Sequence, residues 1–414
     1  MELRSYFRPF AITATLLSLF LCACGVIVTL RMAQQGRVDF RQLYTAGYML
    51  RTGNRRQLYD FEVVEKFQNE VVSPAHGALP FNHLAYESIL FAPFSLLNYR
   101  TAYFAFFAVN LAVLGAAFRL FTPYLGSLEQ LWGFLPTATF VCFLPVALAL
   151  AQGQDSIILL ALLICATRAL DGGMDFRAGI FLGLTLFKFQ YGLPIALLFL
   201  IWRRWRFFLG FGASAAFALG ISLSITGFAG FVEYLHSLGQ MSSHFSSTYG
   251  AQYGIRPELM PNLRGLAHAF TNGSPRATLI ATAAMSIVVL IWAASKPPSL
   301  PVALLAGILV SYHHLINDTT MMILPAGLAL STSLSSSSKS SFSKRSILLA
   351  ALAALVFIAP GPLLFANARF YLLAIPMLAL LVVWDGKYPA AAERNTSSLM
   401  SAITDEDRAV SKGS

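Results

Sequence analysis

The chain has 414 residues, of which 57% are apolar and only 12% charged, and its 29 Lys and Arg against 19 Asp and Glu give a formal charge of +10. The charged share is about half that of an average soluble domain, which excludes a water-soluble globular protein. Nucleic acid is excluded as the reason for the positive charge, because the basic residues are scattered among short segments between apolar runs. Membrane topology and lipid headgroups account for them instead.

A membrane crossing takes roughly 20 mostly apolar residues, and a chain in hydrocarbon must satisfy its own backbone, so the expected fold is an all-α polytopic bundle. In chain order the apolar runs are 9–31, 86–118, 132–151, 156–170, 177–189, 190–202, 206–226, 277–294, 299–313, 318–334, 346–363 and 369–384, which predicts twelve spans. The stretch 177–202 reads as two short broken passes meeting near Lys188, with Gly192 and Pro194 loosening the second. One straight helix would put Arg203, Arg204 and Arg206 on the opposite side from Arg168 and Arg177, against the positive-inside tendency.

Twelve spans put both termini in the cytoplasm, with Lys339, Lys344 and Arg345 inside and two long loops outside, 32–85 and 227–276. Within the first loop a short helix is expected over 39–50, and Val63, Val64, Phe67 and Val71 recur at helical spacing in 59–72. In the second, Phe231, Tyr234, Leu235, Leu238 and Met241 do the same, which predicts amphipathic helices at the membrane surface. The Ser-rich basic stretch Ser331–Ser346 and the polar tail 386–414 read as irregular, leaving 1–385 as one membrane unit. Cys22, Cys24, Cys142 and Cys165 all lie inside apolar runs as small hydrophobes, so they imply neither disulfides nor a metal framework.

Several residues could carry chemistry on the outer face. Asp39 opens the first outer loop, where Asp39-x-x-Gln42 is a capping-box pattern and also suits a general base, since a helix N-terminus favours the carboxylate form. His313 and His314, followed by Asn317 and Asp318, could hydrogen-bond an anionic substrate group or neutralise it when protonated. Their spacing gives no metal-ligand set. Lys188 stands alone in an apolar run, either snorkelling or offering a point charge to a phosphate, and Arg256 and Arg264 could add phosphate contacts. The turn Gln152-Gly153-Gln154-Asp155 supplies amide and carboxylate partners for a hydroxyl-rich substrate, although Gly and Asp also suit a plain turn. There is no nucleotide-binding glycine loop and no Asp-x-Asp pair, so a nucleotide sugar is not the expected donor.

The ordered set Asp39-Phe40 with Tyr44, Gly53 and Leu58-Tyr59-Asp60, then Phe91-Ala92-Pro93-Phe94, Gly153-Gln154, Ala178-Gly179 to Lys188, Pro261-Asn262-Leu263-Arg264-Gly265 and Tyr312-His313-His314 through Pro325 resembles the glycosyltransferase 87 family. The resemblance implies a GT-C-type membrane enzyme of the plasma (inner) membrane. Such an enzyme takes a sugar, mannose in the best-known members, from a polyprenyl phosphate and passes it to a lipid or glycan acceptor outside the cytoplasm, without a cofactor. It further implies Asp39 as general base. Lys188, Arg256, Arg264, His313 and His314 would then face the donor phosphate, and Tyr44, Gln154, Asp155 and Asn262 would contact acceptor or sugar. A transporter or flippase of lipid-linked sugars is the rival expectation, but only one pair of broken helices is found where such proteins show two.

Overall fold

The computed structural model of the chain describes residues 2–74, 79–243, 256–335 and 343–387, with side chains described for all of these except 2–7 and 241–243. The described residues form helices and turns with no strand, as a membrane-embedded backbone requires. Six helical stretches are long and apolar enough to cross a bilayer: Arg8–Gln34, Tyr99–Tyr124, Asp175–Ile201, Trp205–Gln240, Pro275–Ala294 and Lys344–Phe365. A seventh arises if Leu135–Val141 and Leu144–Gln152, bent by 44°, count together.

The twelve apolar runs correspond to fewer full-length helices because several are short or broken. The run at 86–118 is not one span: Pro93 interrupts it, residues 85–96 form three short turns, and the long helix starts at Tyr99. Asn98 begins that helix by accepting from the Thr101 amide at 3.0 Å. The run at 299–313 is helical only over Leu300–Val310, and the 318–334 run opens as the tight turn Ile316–Met322 before the helix Ile323–Ser335. The two ends of the Ser-rich stretch, 331–335 and 344–346, are helical rather than irregular. Ser331 is buried, its hydroxyl donating to the Tyr124 carbonyl at 2.7 Å, and a helix resumes at Lys344. Residues 336–342, and the tail from 388 onward, lie outside the described residues.

Asp175–Ile201 settles into two passes. A straight run of its 27 residues would be about 40 Å long. Yet the Arg204 guanidinium, just after its end, grips both oxygens of Asp175, at its start, at 2.6 and 2.8 Å. The segment is therefore a hairpin: Asp175–Gly183 leads in, the turn Leu184–Lys188 reverses the chain, and Phe189–Ile201 returns. Asp175–Gly183 then lies against the start of the next helix so closely that a Cβ on Gly179 would stand 2.0 Å from the Phe207 carbonyl oxygen. The turn delivers Lys188 to the centre of the protein.

The helix from Trp205 breaks at Gly227, whose φ of 73° favours glycine. Beyond it Tyr234 is buried while Phe228, Val232 and Leu235 stay exposed, an amphipathic arrangement in which Leu235 faces outward rather than with Tyr234. Within the 32–85 loop helices form at Phe40–Arg51 and Phe61–Val71 as expected. Phe40 is the anchor of that loop, fully buried and stacked on Phe106 with ring centroids 5.4 Å apart. It also lies against Gly153, whose φ is +63° and whose Cβ, if present, would meet the Phe40 Cβ at 2.8 Å. A bare glycine thus lets the Gln152–Asp155 turn seat directly beside Asp39.

The hairpin makes a sharp expectation about sidedness. Cysteines placed at Met174 and Arg203, both exposed, in a background lacking the four native cysteines are expected to react with an impermeant maleimide from the same side of the membrane. Labelling from opposite sides would require a straight crossing.

Candidate active site

Lys188 is 4% exposed, and its ammonium meets Asp155 Oδ1 at 2.7 Å, Ser156 Oγ at 2.9 Å, Gln154 Oε1 at 3.3 Å and Asp318 Oδ1. Burying an ammonium costs several kcal/mol unless paired and hydrogen-bonded, and here two carboxylates share it. Lys188 is therefore neither snorkelling nor available to a donor phosphate; it ties the turn after Gln152 and the turn before Ile323 to the hairpin tip. Asp155, fully buried between Lys188 and His83, is likewise not placed to touch a sugar.

The ring of partners widens from there. Ser156 donates to Asp318 Oδ1 at 2.7 Å, and the Tyr191 hydroxyl donates to Asp318 Oδ2 at 3.1 Å while sitting 2.8 Å from His314 Nδ1. His314 Nε2 is 3.1 Å from the Thr319 hydroxyl, so both ring nitrogens of this buried histidine are engaged within the protein. On the far side of Asp155, His83 Nδ1 is 3.2 Å from Asp155 Oδ2 and hydrogen-bonded to Glu87.

Asp39 stands at the outer edge of this cluster. It occupies the residue before the helix Phe40–Arg51, but its φ of −63° and ψ of −24° are helical and its side chain caps nothing. The capping-box reading is thereby overturned; by contrast Asp60 does cap its helix, accepting from the Glu62 and Val63 amides at 3.1 Å. The Asp39 carboxylate instead accepts from the Gln154 side-chain amide and, at 3.4 Å, from Asn317. Gln154 turns its other end to Lys188, which fixes which way its amide points. Asn317 is held by Gln152 Oε1 at 2.9 Å. The turn itself is pinned by Asn110, donating to the Gln154 carbonyl at 2.9 Å. Burial pushes the Asp39 carboxyl above the usual range; the Gln154 hydrogen bond and the Lys188 charge pull it back, while Asp318 and Asp155 push it up again.

A second set of residues gathers around the turn at 311–314. Asn262 is fully buried and caps the helix Leu263–Phe270, accepting from the Arg264 and Gly265 amides, while its own amide donates to the Ser311 carbonyl at 2.6 Å. It is a clamp on the 311 turn rather than a sugar contact. Arg264 Nη1 donates to the Tyr312 carbonyl at 2.8 Å, and no carboxylate pairs with this guanidinium among the described residues. His313 is half-buried, and its Nδ1 has no hydrogen-bond partner. Burial lowers both His313 and His314 to about 4, so they are neutral imidazoles at physiological pH, contrary to a role as phosphate-neutralising cations. Tyr44 is spent internally, donating to the Leu97 carbonyl at 2.8 Å, and Arg256 sits exposed at the head of the Pro257–Leu259 turn. Of the residues expected at the site, Asp39, Arg264 and His313 keep groups without a charged partner, whereas Lys188, Gln154, Asp155, His314, Asn262 and Tyr44 are engaged within the protein.

Sequence reasoning missed His83, Glu87, Ser156 and Tyr191. The His83-x-x-x-Glu87 spacing, which puts both side chains on one helical face, was the signal that could have found the first two.

Fold and site together define a polytopic membrane protein with a carboxylate positioned by side-chain amides and, in a later turn, an arginine with no carboxylate partner among the described residues. Residues 87–325 match the model of glycosyltransferase family 87, and the chain belongs to that family of membrane glycosyltransferases. No curated protein and no solved structure matches it.

Lys188→Met leaves Asp155 and Asp318 buried without their cation and is expected to cost about 3–5 kcal/mol, read as a large drop in melting temperature in detergent. Adding Asp318→Asn should recover part of the loss. Wild-type stability in Lys188→Met would refute the bridging role.

Proposed function

We propose that this glycosyltransferase moves a hexose, mannose by the family's analogy, from a polyprenyl phosphate to a lipid-linked or glycan acceptor. The reaction would take place on the extracytoplasmic side of the plasma membrane, with both termini cytoplasmic. Asp39 is the general base. The acceptor hydroxyl oxygen attacks the anomeric carbon as its proton passes to Asp39, and the bond from that carbon to the phosphate oxygen breaks with its electron pair left on the phosphate. Phosphate is already a stable anion, so no general acid is required, and one displacement inverts the centre: a β-linked donor gives an α-linked product.

The observation that carries this reading is that Asp39 forgoes its cap and is instead presented by two amides, Gln154 and Asn317. An amide N–H donated to a carboxylate orients it and keeps it ionised, the form a base needs. Arg264, with no carboxylate partner among the described residues, takes the donor phosphate; the neutral His313 supplies a hydrogen bond rather than a charge. General-base assistance is worth about 10²- to 10⁴-fold, and stabilising the departing phosphate commonly contributes more.

Reconstituted protein given a radiolabelled polyprenyl-phosphate sugar and a membrane lipid extract separates the possibilities: transfer to a new lipid supports the reading, and movement of intact donor across the membrane points to a flippase. Asp39→Asn should lose at least about 10²-fold in transfer while still binding donor. The Asp39 side chain caps no helix, so such a loss cannot come from a lost cap. Arg264→Gln is expected to lower kcat/KM for the donor by about 10- to 100-fold. Because Asp39 acts deprotonated and its pKa is raised, activity should rise with pH through a midpoint above the ordinary aspartate value of about 4. Normal turnover in Asp39→Asn defeats the assignment.

A further inference from the structure

His83, Glu87 and Asp155 place one ligand atom each within 4.8 Å of one another, and all three residues are buried. They come from two distant parts of the chain: His83 just before and Glu87 at the end of the short turn Ala85–Glu87, and Asp155 in the turn that presents Gln154. The reaction proposed above uses none of them directly.

One observation shows that the protein leaves an acceptor open in this cluster: the Glu87 Oε1 atom is buried, in a residue only 4% exposed, and has no hydrogen-bond partner. Around it Glu87 and Asp155 flank the His83 ring, while Asp155 and Asp318 share the Lys188 ammonium. A buried acceptor without a partner is costly, and a bound cation would satisfy it.

We infer that His83 Nδ1 and one oxygen each of Glu87 and Asp155 form a binding site for a divalent first-row metal ion such as zinc or manganese. An imidazole nitrogen with two carboxylate oxygens is a donor set both ions accept. Ligand atoms on one such ion stand roughly 3–4 Å apart, so the three groups need adjust by only about 1 Å. Asp155 already divides its oxygens, Oδ1 to Lys188 and Oδ2 toward His83, which leaves the second for the ion without releasing the lysine. Glu87 Oε1 gains a partner, as a second ligand atom or through a bound water. Through Asp155, Lys188 and Gln154 the ion would set the orientation of the amide that holds Asp39, so it is a structural ion and lies outside the reacting centre.

The competing occupant is protons: an imidazolium at His83 between the two carboxylates, with Glu87 neutral, balances the same charges. Metal content decides between them without reference to transfer activity. Protein purified in detergent without chelators is assayed by inductively coupled plasma mass spectrometry, before and after incubation with Zn²⁺ or Mn²⁺ and gel filtration. The expected result is about one equivalent in wild type, falling to background in both His83→Gln and Glu87→Gln while the variants still elute as monodisperse protein. Should the variants aggregate, wild type stripped with EDTA and titrated with Co²⁺ gives the answer alone, since binding by nitrogen and oxygen ligands develops visible d–d absorption saturating at one equivalent. Wild type that holds no metal after incubation and develops no such band overturns the site and leaves protons as the occupants. Metal retained equally by His83→Gln overturns it too.

Discussion

The ammonium of Lys188, shared by Asp155 and Asp318 inside a membrane protein, is the interaction on which the rest of this structure depends. Each charge would be prohibitive alone in so apolar a setting; together they fix three turns that are far apart in sequence. The hairpin at 175–201 exists to bring the lysine there, since only a chain reversal at Leu184–Lys188 lets a charged residue in an apolar run reach partners at one end of the bundle. Everything nearer the surface, including Gln154 and the Asp39 carboxylate, is positioned from this anchor.

The arrangement divides labour between charges that are spent and groups that are kept open. Lys188, Asp318 and His314 are saturated within the protein, which makes their part of the cluster rigid but chemically quiet. Arg264 and His313 are held by backbone contacts instead, through the Tyr312 carbonyl and the clamp of Asn262 on Ser311, so their reactive ends are not consumed by their own support. The donor-phosphate role proposed for Arg264 would profit from such preorganised donors.

Part of this was legible in the sequence, and most of the failures share a cause. The broken character of 177–202 predicts two passes, and the Arg204–Asp175 pair bears out the hairpin. What sequence could not show is pairing over long separation. Nothing in Phe187-Lys188-Phe189 reveals that residues 155 and 318 will both meet the lysine, so a spent cation reads as an open one. Local pattern also misled at Asp39: Asp-x-x-Gln fits a capping box, but the backbone there is helical and Gln154, 115 residues away, claims the carboxylate. The single run assumed over 86–118 failed for a local reason, Pro93, whose effect on a helix outweighed hydropathy.

The central claim is that Asp39 works as a base because Gln154 holds it ionised. Its most direct test is the pH dependence of sugar transfer in Gln154→Leu against wild type. Removing the amide withdraws a hydrogen bond that lowers the Asp39 pKa, so the acid limb of the profile should move to higher pH while the limiting rate at high pH is reduced. An acid limb that stays where it is in Gln154→Leu, with turnover otherwise intact, would contradict the account.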